Sequence, residues 1–216
     1  MGGWYAGRLR LALISCAAAQ LLAACPAFAL TKLIVVPTAR PIGARRYQVD
    51  LSRKEPLLDA AVISLDISAK AGLGERVLLE AKVPLRGSNN APLWFGKYTF
   101  AVTRGGLTAA AIGVENVGRD SQATPYVVSS HLFRSVDVTV GIAGGVDAVA
   151  RYFAGVDYRI GQRVHLLGDY NTGNTTYASA GFQYDFSRNW SLKSGWEASH
   201  GSASDVLVKI QFSDIY

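Results

Sequence analysis

Three histidines are the residues of this chain with the widest chemical use. His131 follows Ser129 and Ser130 in "SSHLF", His165 precedes Asp169 in "VHLLGDY", and His200 stands in "ASHGS". A serine, a histidine and an orienting acid within hydrogen-bond reach would make an acyl hydrolase. The chain has no G-x-S-x-G elbow to present such a serine. His165 and Asp169 share one face of an extended segment, where pairing across an enclosed polar space accounts for them as well as catalysis does. No Cys/His cluster, EF-hand loop or phosphate-cradling glycine loop occurs, and "GGVD" and "NTGNT" read as turns. No cofactor and no metal site is implied.

The charged residues say more. In "ISLDISAKAGLGERVLLEAKVPL", residues 63–85, Asp66 and Lys70 alternate with Ile63, Leu65, Ile67 and Ala69. After a glycine-rich break, Arg76, Glu80 and Lys82 stand between Val77, Leu79, Ala81 and Val83. A period of two is that of a β-strand with two unlike faces. The apolar set recurs as Val136, Val138, Val140 and Ile142, as Tyr152, Val156, Tyr158 and Ile160, and as Val206, Val208, Ile210 and Phe212. The polar set recurs as Asp137 and Thr139, as Arg151, Asp157 and Arg159, and as Asp205, Lys209 and Gln211.

The elements that carry this pattern follow from breaking it at Gly, Pro, Asn and Asp clusters. Strands are expected near 45–51, 61–71, 76–85, 93–103, 107–117, 125–134, 136–144, 150–160, 163–170, 176–186, 190–198 and 205–212. Short connections ("GLGE", "RGG", Arg134-Ser135, "GQ", "SRN") alternate with longer ones ("RGSNNAP", "GRDSQAT", "GGVDAV", "NTGNT", "SHGSAS"). That rhythm belongs to an all-β, antiparallel up-and-down barrel of about twelve strands, with tight turns on one rim and loops on the other. Strands of ~9–11 residues cross a bilayer at a tilt. Tyr98, Tyr126, Tyr170, Tyr184, Trp190 and Trp196 fall near strand ends, where aromatic girdles would stand.

The first 29 residues are a different material. Arg8 and Arg10 precede the apolar run "LALISCAAAQLLAA", and "AFA" before Leu30 is an A-x-A cleavage site, so residues 1–29 read as a signal peptide. A competing reading is a lipobox, "LAAC", which would lipidate Cys25; Pro26 directly after it favours ordinary cleavage. Both cysteines, Cys16 and Cys25, lie in this leader, so the processed chain holds no disulfide scaffold. Without the leader, 20 Lys and Arg face 16 Asp and Glu with no basic run, which argues against nucleic acid as a partner. An expected domain order follows: signal peptide 1–29, periplasmic lead-in segment 30–44, barrel 45–216.

Export, hairpins along the whole chain and no covering helix point the apolar face at lipid in the bacterial outer membrane. The last strand, "DVLVKIQF", ends on an aromatic of the kind that outer-membrane assembly machinery reads, with "SDIY" following as an overhang or as the reading end itself. Under this arrangement Asp66, Lys70, Arg76, Glu80, Lys82, Arg151, Asp157, Arg159, Lys193, Glu197 and Lys209 are expected to face the lumen. Lys97 on one side and Asp137, Asp169, Asp185 and Asp205 on the other extend the two sets, which cancel in number. A barrel of about twelve strands stands between side-chain-filled and water-filled barrels.

After the leader, "TKLIVVPTARPIGARRYQVDLS" contains Leu33-Ile34-Val35-Val36-Pro37-Thr38-Ala39-Arg40, a phrase of the form LI-x-x-P-T-A-R. It resembles the start of the YjbH-like outer-membrane proteins, and "IGVENVG" (112–118) and "YFAGVDYRIGQRVHLLGDYN" (152–171) have the same flavour. The resemblance implies a single short barrel module with a role near exopolysaccharide. From the residues alone, Pro37 and Pro41 favour extended chain, either a periplasmic strap or a plug in the barrel mouth, with an ordered linker favoured over a functional plug.

Three functions compete: a non-enzymatic outer-membrane barrel serving exopolysaccharide export, surface display or a narrow pore; a periplasmic barrel holding an apolar ligand; and an outer-membrane lipid hydrolase using His131. Thiol labelling of bilayer-embedded protein separates the first two. A thiol at Ser64→Cys is expected to react with a water-soluble maleimide, and one at Leu65→Cys only with a membrane-partitioning reagent. A Leu65→Cys thiol that neither reagent reaches would mean a soluble barrel.

Overall fold

The computed structural model describes residues 36–56, 63–85, 91–103, 105–118, 123–144, 149–173, 176–199 and 204–215. The leader with Cys25, and His200, lie outside these. Twelve strands follow one another: β1 (Arg46–Pro56), β2 (Ser64–Leu73), β3 (Val77–Pro84), β4 (Leu93–Val102), β5 (Thr108–Val117), β6 (Thr124–Phe133), β7 (Val136–Ala143), β8 (Arg151–Ile160), β9 (Val164–Asn171), β10 (Tyr177–Asp185), β11 (Trp190–Ser199) and β12 (Asp205–Ile215). Each pairs antiparallel with its sequence neighbours, and β1 pairs with β12 from Arg46↔Ile215 to Pro56↔Asp205, which closes the barrel. A ten-residue strand at ~3.3 Å per residue and a tilt of ~40° covers about 25 Å, the height of an outer-membrane apolar band.

The side chains are distributed inside out. Leu51, Ile67, Leu79, Ile112, Val127, Val140, Leu166 and Ile210 are exposed on the outer wall, while Gln48, Asp50, Lys70, Glu80, Lys97, His165, Gln183 and Lys193 are buried within. An apolar belt of this extent is not tolerated against water and is what hydrocarbon requires. This is a transmembrane β-barrel fold. Trp94, Tyr152, Tyr170 and Trp196 ring the wall toward the loop rim, and Phe100, Phe133, Tyr158 and Trp190 ring it toward the turn rim. At the closing seam the Trp190 and Phe212 rings lie 4.9 Å apart, with Tyr47 6.0 Å from Phe212. Tyr126 departs from the expected girdle: it points into the lumen and is buried, because its register partner Gly113 is an inward position of β5.

Two strands run further than the alternation indicates. β1 continues to Pro56 although Arg53 and Glu55 face outward, where they form an ion pair with each other. They stand near the loop rim, where an outward charge costs far less than at the midplane, so backbone pairing overrides the side-chain pattern. β12 likewise continues to Ile215, opposite Arg46, so residues 213–215 are strand rather than overhang. On β5, Asn116 adopts a left-handed φ of 59° and the register to β4 shifts between Trp94 and Gly96. This bulge turns Val117 outward beside Trp94.

Ile210 stands halfway along β12, in register with Leu51 and Leu192. Ile210→Lys is expected to cost about 2–4 kcal/mol of folding stability in bilayers, read by urea titration of heat-modifiable gel mobility. An unchanged midpoint would place this face in water.

Candidate functional site

The lumen has two unlike walls. Along β11, β12, β1 and β2, charged groups gather around Asp50. Lys70 Nζ lies 2.8 Å and Lys209 Nζ 3.9 Å from its carboxylate, and both the Asp50 and Lys70 side chains are only 2% exposed. Gln48 donates to Asp50 at 2.7 Å and Ser68 at 3.3 Å. Lys193 is buried directly across from Lys209, an opposition of like charges that disfavours the pair unless acids surround it. On the next wall His165 is fully buried, with Nδ1 2.8 Å from Asp157 and Nε2 3.5 Å from Asp185.

Nearer the loop rim the charges pair in a second tier. Lys54 meets Glu197 at 3.1 Å and Asp205 at 2.9 Å, Lys82 meets Asp66 at 2.9 Å, and Arg151 meets Glu115 at 3.5 Å. On β10 and β11, the hydroxyls of Ser179 and Ser191 and the amide oxygen of Gln183 have no partner among the described residues.

The opposite wall, β5 to β8, carries an apolar cluster, and a segment of the chain itself covers it. Residues 36–40 lie inside the barrel, and Val36 and Ala39 pack with Ala109, Ala111, Tyr126, Val128, Ala143 and Phe153. The strap leaves the turn end of β2 at Ile42 and Gly43; there Gly72 is required, because a Cβ would collide with the Gly43 carbonyl. Arg40 then reaches Asp137 with two bonds, Nε at 2.7 Å and Nη2 at 3.1 Å, and also donates to the carbonyls of Gly106 and Leu107. Further in, Lys97 Nζ donates to the Thr38 carbonyl at 2.8 Å and to the Arg40 carbonyl at 2.6 Å. Thr99 donates to the Ala39 carbonyl at 3.0 Å, and the Ala39 N–H donates to Ser130 Oγ at 2.9 Å. The Val36 N–H donates to Asp169 at 3.2 Å, so the strap crosses from β2 to β9.

Residues 36–40 of the PTAR phrase thus lie in the lumen rather than outside the barrel, a position that an ordered linker and a plug share. Neutral bonds are worth ~1 kcal/mol net and charged ones ~1.5–3, and the entropy of ordering the segment offsets part of their sum.

Most of the expected lumen residues are inside: Asp66, Lys70, Glu80, Lys82, Arg151, Asp157, Lys193, Glu197 and Lys209. Arg159 shares the inward face of Asp157 and is half-buried at the turn rim. Arg76 is not a lumen residue. It belongs to the turn before β3, is exposed, and its guanidinium lies 3.4 Å from the Phe100 carbonyl; the strand begins one residue later, so its alternation does not govern Arg76. Asp50, Lys54 and Glu115 were missed, although Asp50 and Glu115 obey the same period of two as their neighbours.

Among the described residues, His131 and His165 meet Thr108 and two aspartates rather than a serine. His131 faces outward near the turn rim, with Nδ1 2.6 Å from Thr108 Oγ1 and its ring 4.1 Å from that of Phe133. Ser129 donates to the Ala109 carbonyl, and Ser130 points the other way, to Thr139 and the strap.

Among solved structures the fold resembles that of the KdgM porin, with a TM-score of 0.62 at 11% identity over 76% of this chain and 98% of that one. A second structure, described as KdgM porin in complex with disordered oligogalacturonate, gives 0.60 at 11% identity over 77% and 98%. The NanC porin gives 0.56 at 9% identity over 79% and 99%. No protein-family model and no curated protein matches the chain.

Removing Asp50 while keeping its lysines leaves buried cations without their central acid. Asp50→Asn is expected to cost about 3 kcal/mol, and Asp50→Asn with Lys70→Met less than that, measured by urea unfolding in detergent micelles. Equal costs for the two variants would show that the pair is not coupled.

Proposed function

We propose that this chain acts without catalysis in the bacterial outer membrane, as a narrow barrel for polar molecules that its own residues 36–40 plug. The observation that carries the reading is the inside-out distribution: lipid-suited aliphatics outside, paired charges and buried polar groups inside, and a strap across the lumen. In outer-membrane barrels the short turns face the periplasm, which puts the turn rim and both ends of the barrel there. An N-terminal leader read as a signal peptide supports the same location. Membrane lipid and the assembly machinery that reads terminal strands are the proposed partners.

The cargo proposed is a polar polymer, with exopolysaccharide export or surface display as the cellular role. Two things support it. The LI-x-x-P-T-A-R phrase that resembles YjbH-like proteins contains the very residues the lumen grips. The KdgM porin, similar in fold, is described with an oligogalacturonate. The apolar-ligand reading finds no support, because the interior carries Asp50, Lys70, His165 and Gln183 while the aliphatics face out. The hydrolase reading lacks a serine bonded to His131.

Arg40→Ala removes the bidentate link to Asp137, worth ~1.5–3 kcal/mol, and is expected to raise the displaced-strap population about tenfold or more. In planar bilayers the parent protein is expected to give small, rare openings and the variant several-fold more frequent ones. Absence of any channel from either protein would sink the passage reading.

A further inference from the structure

We propose that the wall under the strap is a pyranose-binding platform, and that residues 36–40 occupy it as an internal stand-in for a neutral saccharide. This rests on the polar-polymer reading above and names its contact site. Two aromatic rings make the platform. Tyr126 on β6 is the register partner of Gly113 on β5, and Phe153 on β8 the partner of Gly141 on β7. A Cβ on Gly113 would strike the Tyr126 ring, and one on Gly141 the Phe153 ring. The outer end of each ring therefore reaches over the glycine of the neighbouring strand. Both rings belong to the cluster that contains Val36 and Ala39.

The polar groups around the rings suit hydroxyls as well as peptide. The lumen holds the strap chiefly through its main chain: Lys97 and Thr99 donate to carbonyls, and Ser130 and Asp169 accept from N–H groups. Donors and acceptors that bracket an aromatic face are what a sugar ring requires, its C–H side on the ring and its hydroxyls at the edges. Arg40 is held by its side chain, through Asp137 and the Gly106 and Leu107 carbonyls, so a charged hold sits at the rim.

Charge selects the saccharide class. With Arg40 displaced, Lys97, Arg151 and Arg159 face Asp137, Asp157, Asp169 and Glu115 along this wall. The two signs nearly balance, so the wall offers no net positive field to a uronate polymer and suits neutral hexose chains.

The test uses saturation-transfer NMR of a linear gluco-oligosaccharide with the protein in detergent micelles, folding being checked by heat-modifiable mobility. Arg40→Ala is expected to show strong transfer to the sugar C–H protons, the parent protein little. Adding Tyr126→Ala or Phe153→Ala should weaken binding about tenfold. Asp137→Asn, a milder release of the same latch, replaces Arg40→Ala if that variant does not fold. No transfer from a folded latch variant, transfer that survives loss of both rings, or tighter binding of a galacturonate oligomer would each overturn the platform. Channels in Arg40→Ala without saccharide binding would remove the platform and leave the passage; binding without channels would do the reverse.

Discussion

Everything in this molecule depends on one requirement: in hydrocarbon each main-chain N–H and C=O needs a partner within the protein. Twelve short strands cannot meet it as an open sheet, because the first and last would present unpaired edges. The β1–β12 pairing, eleven residues long, removes both edges at once. It also explains why β1 and β12 run past the end of their apolar patterning. A charged pair such as Arg53 and Glu55 near the interface costs less than a row of unsatisfied amides.

Closure sets the interior as well as the edge. Once the apolar residues are committed to lipid, the alternate residues must share a confined space, and the barrel fills it in two ways. Around Asp50 and in the Lys54–Glu197–Asp205 tier, charges neutralise one another across neighbouring strands. On the β5–β8 wall small residues and two aromatic rings leave a shallow bed instead, and the chain lays its own residues 36–40 into it. The β10–β11 side carries the buried polar atoms of Ser179, Gln183 and Ser191. A twelve-stranded barrel is wide enough to need such filling and too narrow to hold an open aqueous channel of the 16–18-strand kind.

The strap is bonded in two unlike ways. Its main chain supplies polar groups that a peptide shares with other hydrogen-bonding polymers, and its charged anchor, Arg40, sits at the turn rim. Occupancy of the lumen and grip at the rim therefore rest on different groups.

The period of two by itself determined the twelve strands, their order, the antiparallel sense and the face each side chain takes, because alternation is a local property of extended chain. Lys70, Glu80, Asp157, Lys193 and Lys209 were all readable inside on that ground. The pattern failed where no strand existed, as at Arg76, and where a cross-strand glycine made room for a ring, as at Tyr126. What only the tertiary structure decided was which charges meet and where the PTAR phrase goes. Lys70 pairs with Asp50 on the preceding strand, and Val36 reaches Asp169 from 133 residues away in sequence. Such contacts depend on closure and on the registers of all twelve strands together, which no short window of sequence contains.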